Sequence, residues 1–153
     1  MKIFIGSDHR GFYLKQFLKD FLFKQGYEVE DCGNYIYDED DDYPDFAFKV
    51  AEEVSKNNLS RGILICGSGA GVCFSANKVK GIRASLAFNE KMASDLRKDD
   101  DVNILCLASD FIDNNLAEKI VLIFLNTDFL GEERYLRRIQ KVQNYENRNN
   151  SFN

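Results

Sequence analysis

Apolar and polar positions along this chain follow two periods that replace one another from end to end. Residues 2–6 form a short β-rich run, and residues 27–31 a second. Between them Phe12, Phe17, Leu18, Phe21 and Leu22 recur at helical spacing, and Gly26 follows as a stop. Residues 34–43 read as a loop carrying the run Asp38-Glu39-Asp40-Asp41-Asp42. Pro44 then suits the first turn of a helix through Phe46, Val50 and Val54. Ile63-Leu64-Ile65-Cys66 is continuously apolar, the pattern of a strand covered by helices on both faces. Gly67-Ser68-Gly69-Ala70-Gly71 breaks it, and a short helix is expected to about Lys78. Residues 82–88 predict a fourth strand, 91–98 a helix, 104–108 a fifth strand, and 120–125 part of a further helix. The last element, from Glu132 to about Glu146, carries Tyr135, Leu136, Ile139 and Val142 as its apolar stripe, with 147–153 expected to fray.

Strand–helix alternation of this kind predicts an α/β domain, one parallel sheet between two layers of helices. With 153 residues, no internal repeat and no linker, a single domain is expected over 1–146. In such sheets ligands bind beyond the carboxyl ends of the strands. Attention therefore falls on Ser7-Asp8-His9-Arg10-Gly11, on residues 66–71, and on the segment before the fifth strand.

Composition narrows the chemistry. Lys plus Arg number 20 and Asp plus Glu 25, a formal net charge of −5, so nucleic acid is not an expected partner. The run at the N-terminus is too short for a signal-peptide core, and nothing later approaches the ~18 apolar residues of a membrane span. The four cysteines, Cys32, Cys66, Cys73 and Cys106, have no C-x-x-C spacing, and with one histidine they make no common structural zinc set. Three of them sit in apolar runs, which predicts reduced thiols and a cytoplasmic protein.

The three glycines of 67–71 would let backbone N–H groups approach an anion at a helix N-terminus, or they could simply make a tight turn. The segment is neither a Walker A loop nor a G-x-G-x-x-G fingerprint. Cys66 ends a strand beside those N–H dipoles, which favour a thiolate, and is a candidate base or nucleophile. The alternative is a small buried hydrophobe. Asp8 could accept from sugar hydroxyls and His9 could donate to a phosphate. Arg134 and Arg138, spaced i, i+4, share one helix face and could clamp a phosphate or form a solvated basic face with Arg137 and Lys141. The acidic run at 38–42 reads as a solvated loop where a metal site would lack fixed geometry, and the tract 99–101 invites the same caution.

Six ordered segments resemble the type B ribose-5-phosphate isomerase family, which includes galactose- and allose-6-phosphate isomerases. They are Gly6-Ser7-Asp8-His9-Arg10-Gly11-Phe12, Asp42-Tyr43-Pro44-Asp45-Phe46-Ala47, the stretch 62–71, Ala76-Asn77-Lys78, Gly81-Ile82-Arg83-Ala84, and the pair Arg134 and Arg138. The resemblance implies a Rossmann-like three-layer α/β/α fold with a five-stranded parallel sheet and an extended C-terminal helix. It also implies a homodimer or dimer of dimers with shared active sites, and no metal or organic cofactor. Cys66 would move a proton between carbons 2 and 1 of a phosphorylated sugar through an enediol, and Ser68 would assist proton movement between the oxygens. The N–H groups of Gly67, Gly69, Ala70 and Gly71 would stabilise the enediolate. Asp8 would hold hydroxyls, while His9 would bind phosphate together with Arg134 and Arg138 of the partner subunit.

One position departs from the family. Aligned without gaps from Gly81 to Asn103, Asp99-Asp100 stands where the family commonly carries His-Asn. Asp99 would then be the ring-opening acid and Asp100 a substrate contact. The expected activity is interconversion of ribose 5-phosphate and ribulose 5-phosphate. The alternatives are a six-carbon sugar phosphate, a weakly active sugar-phosphate-binding homologue, and, from another class, a flavodoxin-like binding or signalling domain.

Overall fold

In the computed structural model, which describes residues 1–149, strands and helices follow the predicted order. They are β1 (Lys2–Ser7), α1 (Phe12–Lys24), β2 (Glu28–Asp31), α2 (Tyr43–Ser55), β3 (Arg61–Cys66), α3 (Ala70–Ala76), β4 (Ala84–Leu86), α4 (Glu90–Asp100), β5 (Ile104–Ala108), α5 (Asn114–Asn126) and α6 (Glu133–Asn149). The five strands form one sheet in the order β2-β1-β3-β5-β4. Every pairing is parallel. The register sets Ser7 beside Ile65 and Cys66 beside Ala108, so β1, β3 and β5 finish at one edge.

Alternation along the central strands explains the two cores. Ile3, Ile5, Ile63, Ile65, Leu105 and Leu107 face α1, α4 and α5. Phe4, Leu64, Cys66, Ile104 and Cys106 face α2 and α3. A strand clothed on both sides must be apolar at every position, which is why 63–66 shows no polar alternation.

The differences from the expected boundaries have local causes. β4 is shorter than 82–88: the Asn103 side chain accepts the Arg83 N–H at 2.8 Å, and Asn89 caps α4 by accepting the Met92 N–H at 2.8 Å. α5 contains 120–125 as expected, and its start is set by Asp113, which caps it through the Leu116 N–H at 2.8 Å. α6 continues to Asn149, so the expected fraying of 147–149 is corrected, and 150–153 lie outside the described residues. Tyr135 is buried, yet Leu136, Val142 and Tyr145 on the same helix are exposed. Among the described residues, no helix is long and apolar enough to cross a membrane.

Candidate active site

The strand order runs outward in opposite directions from β1 and β3: β1 leads into α1 on one face of the sheet, β3 into α3 on the other. The two loops part at their strand ends and leave a crevice, the place where open parallel sheets bind ligands. Asp8, Arg10, Tyr43, Cys66, Gly67, Ser68, Gly71 and Phe74 line a cleft of about 310 Å³ there. Gly11 allows the close approach of the two loops, since a Cβ on it would lie 2.6 Å from the Ile65 carbonyl oxygen.

Cys66 is 4% exposed and ends β3. The Gly69 N–H points at its sulfur, 3.2 Å away, a contact able to hold negative charge on that atom. Gly69 is the N-cap of α3 in the left-handed region, at φ 72°, where glycine alone is free of steric cost. This geometry turns the chain from β3 into α3, whose Gly71 lines the cleft. Ser68 is exposed at the cleft wall, and its Oγ accepts the Ala70 N–H at 3.3 Å.

Asp8 lies 5% exposed on the opposite wall, its Oδ1 accepting the Gly11 N–H at 3.0 Å. Burial pushes its carboxyl up from the ordinary value, opposed by that N–H. Arg10 pairs with Asp110, and its backbone carbonyl accepts the Ser109 hydroxyl at 2.9 Å, tying the β1 and β5 loops together. His9 sits between these two residues and is bound to Asp41: its backbone N–H lies 2.9 Å and its Nδ1 2.7 Å from Asp41 Oδ1. The Asp41 side chain is only 8% exposed. The reading of 38–42 as a wholly solvated loop is therefore corrected at this residue. Arg10, Tyr43 and Asp41 were not singled out from the sequence. Arg10 and Tyr43 lie within residues 6–12 and 42–47, whereas Asp41 is one of five consecutive acidic residues.

Asp99, Asp100, Arg134 and Arg138 gather elsewhere. α4 runs back from the carboxyl end of β4, so its last turn lies at the opposite edge of the sheet. β5 spans the two edges with five residues, four steps of ~3.3 Å or roughly 13 Å. There the Tyr135 hydroxyl bonds to Asp99 and receives a hydrogen bond from Arg134 at 2.5 Å. Asp100 and Arg138 line a neighbouring cleft with Asn77, Ile82 and Ala84. Cys66, Ser68, Asp8 and His9 thus share one end of the molecule, while Asp99, Asp100 and the two arginines share the other.

The remaining thiols pack beneath the site. Cys106 is fully buried and donates to Cys73, which in turn donates to the Ala84 carbonyl at 3.4 Å. Burial pushes the Cys32 thiol up to about 11. Among the described residues, no group of three His, Cys, Asp or Glu side chains is placed to hold a metal ion.

Known proteins share this fold and sequence. The sequence model of the family described as Ribose/Galactose Isomerase matches residues 3–142. A protein of Mycoplasma genitalium named "Probable ribose-5-phosphate isomerase B" is 48% identical over 145 residues, covering 94% of this chain and 95% of that one. The crystal structure of ribose-5-phosphate isomerase B from Mycoplasma genitalium with bound ribulose-5-phosphate matches at a TM-score of 0.92 and 48% identity, over 95% of this chain and 96% of that one. The type B ribose 5-phosphate isomerase of Trypanosoma cruzi matches at a TM-score of 0.90 and 36% identity, over 95% and 98%.

Proposed function

This chain belongs to the ribose/galactose isomerase family, and from that premise we propose how its cleft performs the reaction. The protein is a ribose-5-phosphate isomerase that interconverts ribose 5-phosphate and ribulose 5-phosphate. The observation that carries the residue roles is the Cys66 sulfur at the crevice, held against the Gly69 N–H.

Cys66, as thiolate, takes the proton from carbon 2 of the opened aldose. The resulting enediolate lies against the N–H groups of 67–71, and the thiol returns the proton to carbon 1. Ser68 moves a proton between the two sugar oxygens, and Asp8 holds hydroxyls. His9 binds the phosphate.

Ring opening and the rest of the phosphate site call for a second copy of the chain. The distance between the two sheet edges supports the reading that Asp99, Asp100, Arg134 and Arg138 act on the partner's cleft. The exposed apolar residues of α6 support a homodimer. Four free thiols support a reducing, cytoplasmic setting.

A turnover assay tests the assignment. The enzyme should convert ribose 5-phosphate faster than allose or galactose 6-phosphate. Cys66→Ala should abolish turnover while the circular dichroism spectrum stays unchanged. Preference for a six-carbon substrate, or near-normal turnover by Cys66→Ala, would overturn the reading.

A further inference from the structure

Asp38, Glu39, Asp40 and Asp42 are exposed at the surface, but the fold draws Asp41 in and assigns both of its oxygens. Oδ1 accepts the His9 backbone N–H at 2.9 Å and Nδ1 at 2.7 Å, and Oδ2 accepts Asn34 Nδ2 at 2.5 Å. Asn34 is itself anchored. Its N–H donates to the Ser7 carbonyl at 3.0 Å, and its carbonyl accepts from the buried Lys15 at 2.5 Å. The carboxylate therefore hangs from the core of the sheet rather than from a loose loop.

A carboxylate can only accept, so the proton between it and His9 belongs to Nδ1, and Nε2 lies across the ring. We propose that Asp41 is a positioning residue for the substrate's phosphate: it holds the Nδ1–H of the imidazolium form of His9 so that the N–H on Nε2 is aimed at the phosphate oxygens. This deepens the isomerase reading and rests on it. The charged groups around the ring are Asp8, Asp41 and Arg10, and the Tyr37 ring meets it edge-on at 6.4 Å. The hydrogen bond to Asp41 outweighs the lowering effects of burial and Arg10, so His9 stays protonated to higher pH than an ordinary imidazole.

His9 is the only histidine in the chain, so the imidazole signals of the tag-free, ¹⁵N-labelled protein report one site. In the ligand-free enzyme above the titration midpoint, the neutral ring should carry its proton on Nδ1. Inorganic phosphate should shift the Nε2 resonance. Asp41→Asn keeps an oxygen for both His9 contacts, and Asn34, whose Oδ1 has no partner among the described residues, can turn to accept the new amide. In that variant the His9 midpoint should fall. Phosphate affinity should drop about tenfold, the loss of strength in one charge-assisted hydrogen bond. KM for ribose 5-phosphate should rise in step while kcat changes little, and Asp41→Glu should restore part of the loss.

A neutral wild-type ring carrying its proton on Nε2 rather than Nδ1 would overturn the proposal. So would an Asp41→Asn variant with unchanged midpoint and phosphate affinity, or one that loses kcat at constant KM. If ribose 5-phosphate is not turned over at all, the isomerase reading fails, while the resonance and phosphate measurements still decide the role of Asp41.

Discussion

At the scale of single residues, the site works through contacts that carry charge to particular atoms. The sulfur of Cys66 was recognisable from its place between an apolar run and three glycines, because that pattern reflects chain geometry more than composition. Asp41 was not recognisable, since its neighbours are also acidic and only burial separates it from them. Asp99 poses the sharpest question. If it opens the sugar ring, Asp99→Asn should slow turnover of cyclic substrate by at least about tenfold, within the range for one acid–base group. The same variant should leave an acyclic substrate nearly unaffected. Equal slowing of both, read by stopped-flow with each form of the sugar, would remove that role.

At the scale of elements, Lys15 shows how the site is held. It projects from α1 with no exposed side-chain surface, 2.8 Å from Asp31 at the end of β2, while Lys19 takes the other Asp31 oxygen at 2.6 Å. Lys15→Ala leaves the Asn34 carbonyl and part of the Asp31 charge uncompensated inside the protein. It should lower stability by about 3–5 kcal/mol, measured by urea unfolding. Burial pushes the Asp31 carboxyl up, yet the bonds from Lys15, Lys19 and the Gly33 N–H together hold it below the ordinary carboxylate value. A carboxyl depressed by folding adds stability above its unfolded pKa, and that stability is lost as pH falls through the folded value. Asp31→Asn should therefore flatten the acid limb of stability below about pH 4 and leave its slope near neutrality unchanged. An acid limb as steep as that of the unmodified protein would show that the pair contributes nothing.

At the scale of the whole molecule, the proposed site residues divide between the two edges of one sheet. Two copies placed edge to edge would complete two sites, as the exposed stripe on α6 suggests. Cys66→Ala and the double variant Arg134→Ala, Arg138→Ala should each be inactive or weak alone. After unfolding and refolding together they should recover about a quarter of full activity, because half of randomly paired dimers are mixed and each holds one intact site. No recovery, with mixed dimers confirmed by native mass spectrometry, would place both sets of residues in one subunit's chemistry. Sedimentation should show a dimer, and Leu136→Asp with Val142→Asp should shift it toward monomer.

The order of elements, the parallel sheet and the crevice loops were all legible in the amino-acid pattern. Strand and helix periods are local properties, and burial on both faces leaves a short run that is apolar at every position. Boundaries at β4, α5 and α6 were less legible, because they depend on which side chain caps a helix or occupies a strand's N–H. The strand order, the distance between Cys66 and Asp99, and the burial of Asp41 came only from the tertiary structure. Each depends on residues far apart in sequence meeting across the sheet: Asp41 lies 32 positions from His9, and its role exists only once Asn34 and Lys15 draw that one carboxylate out of water.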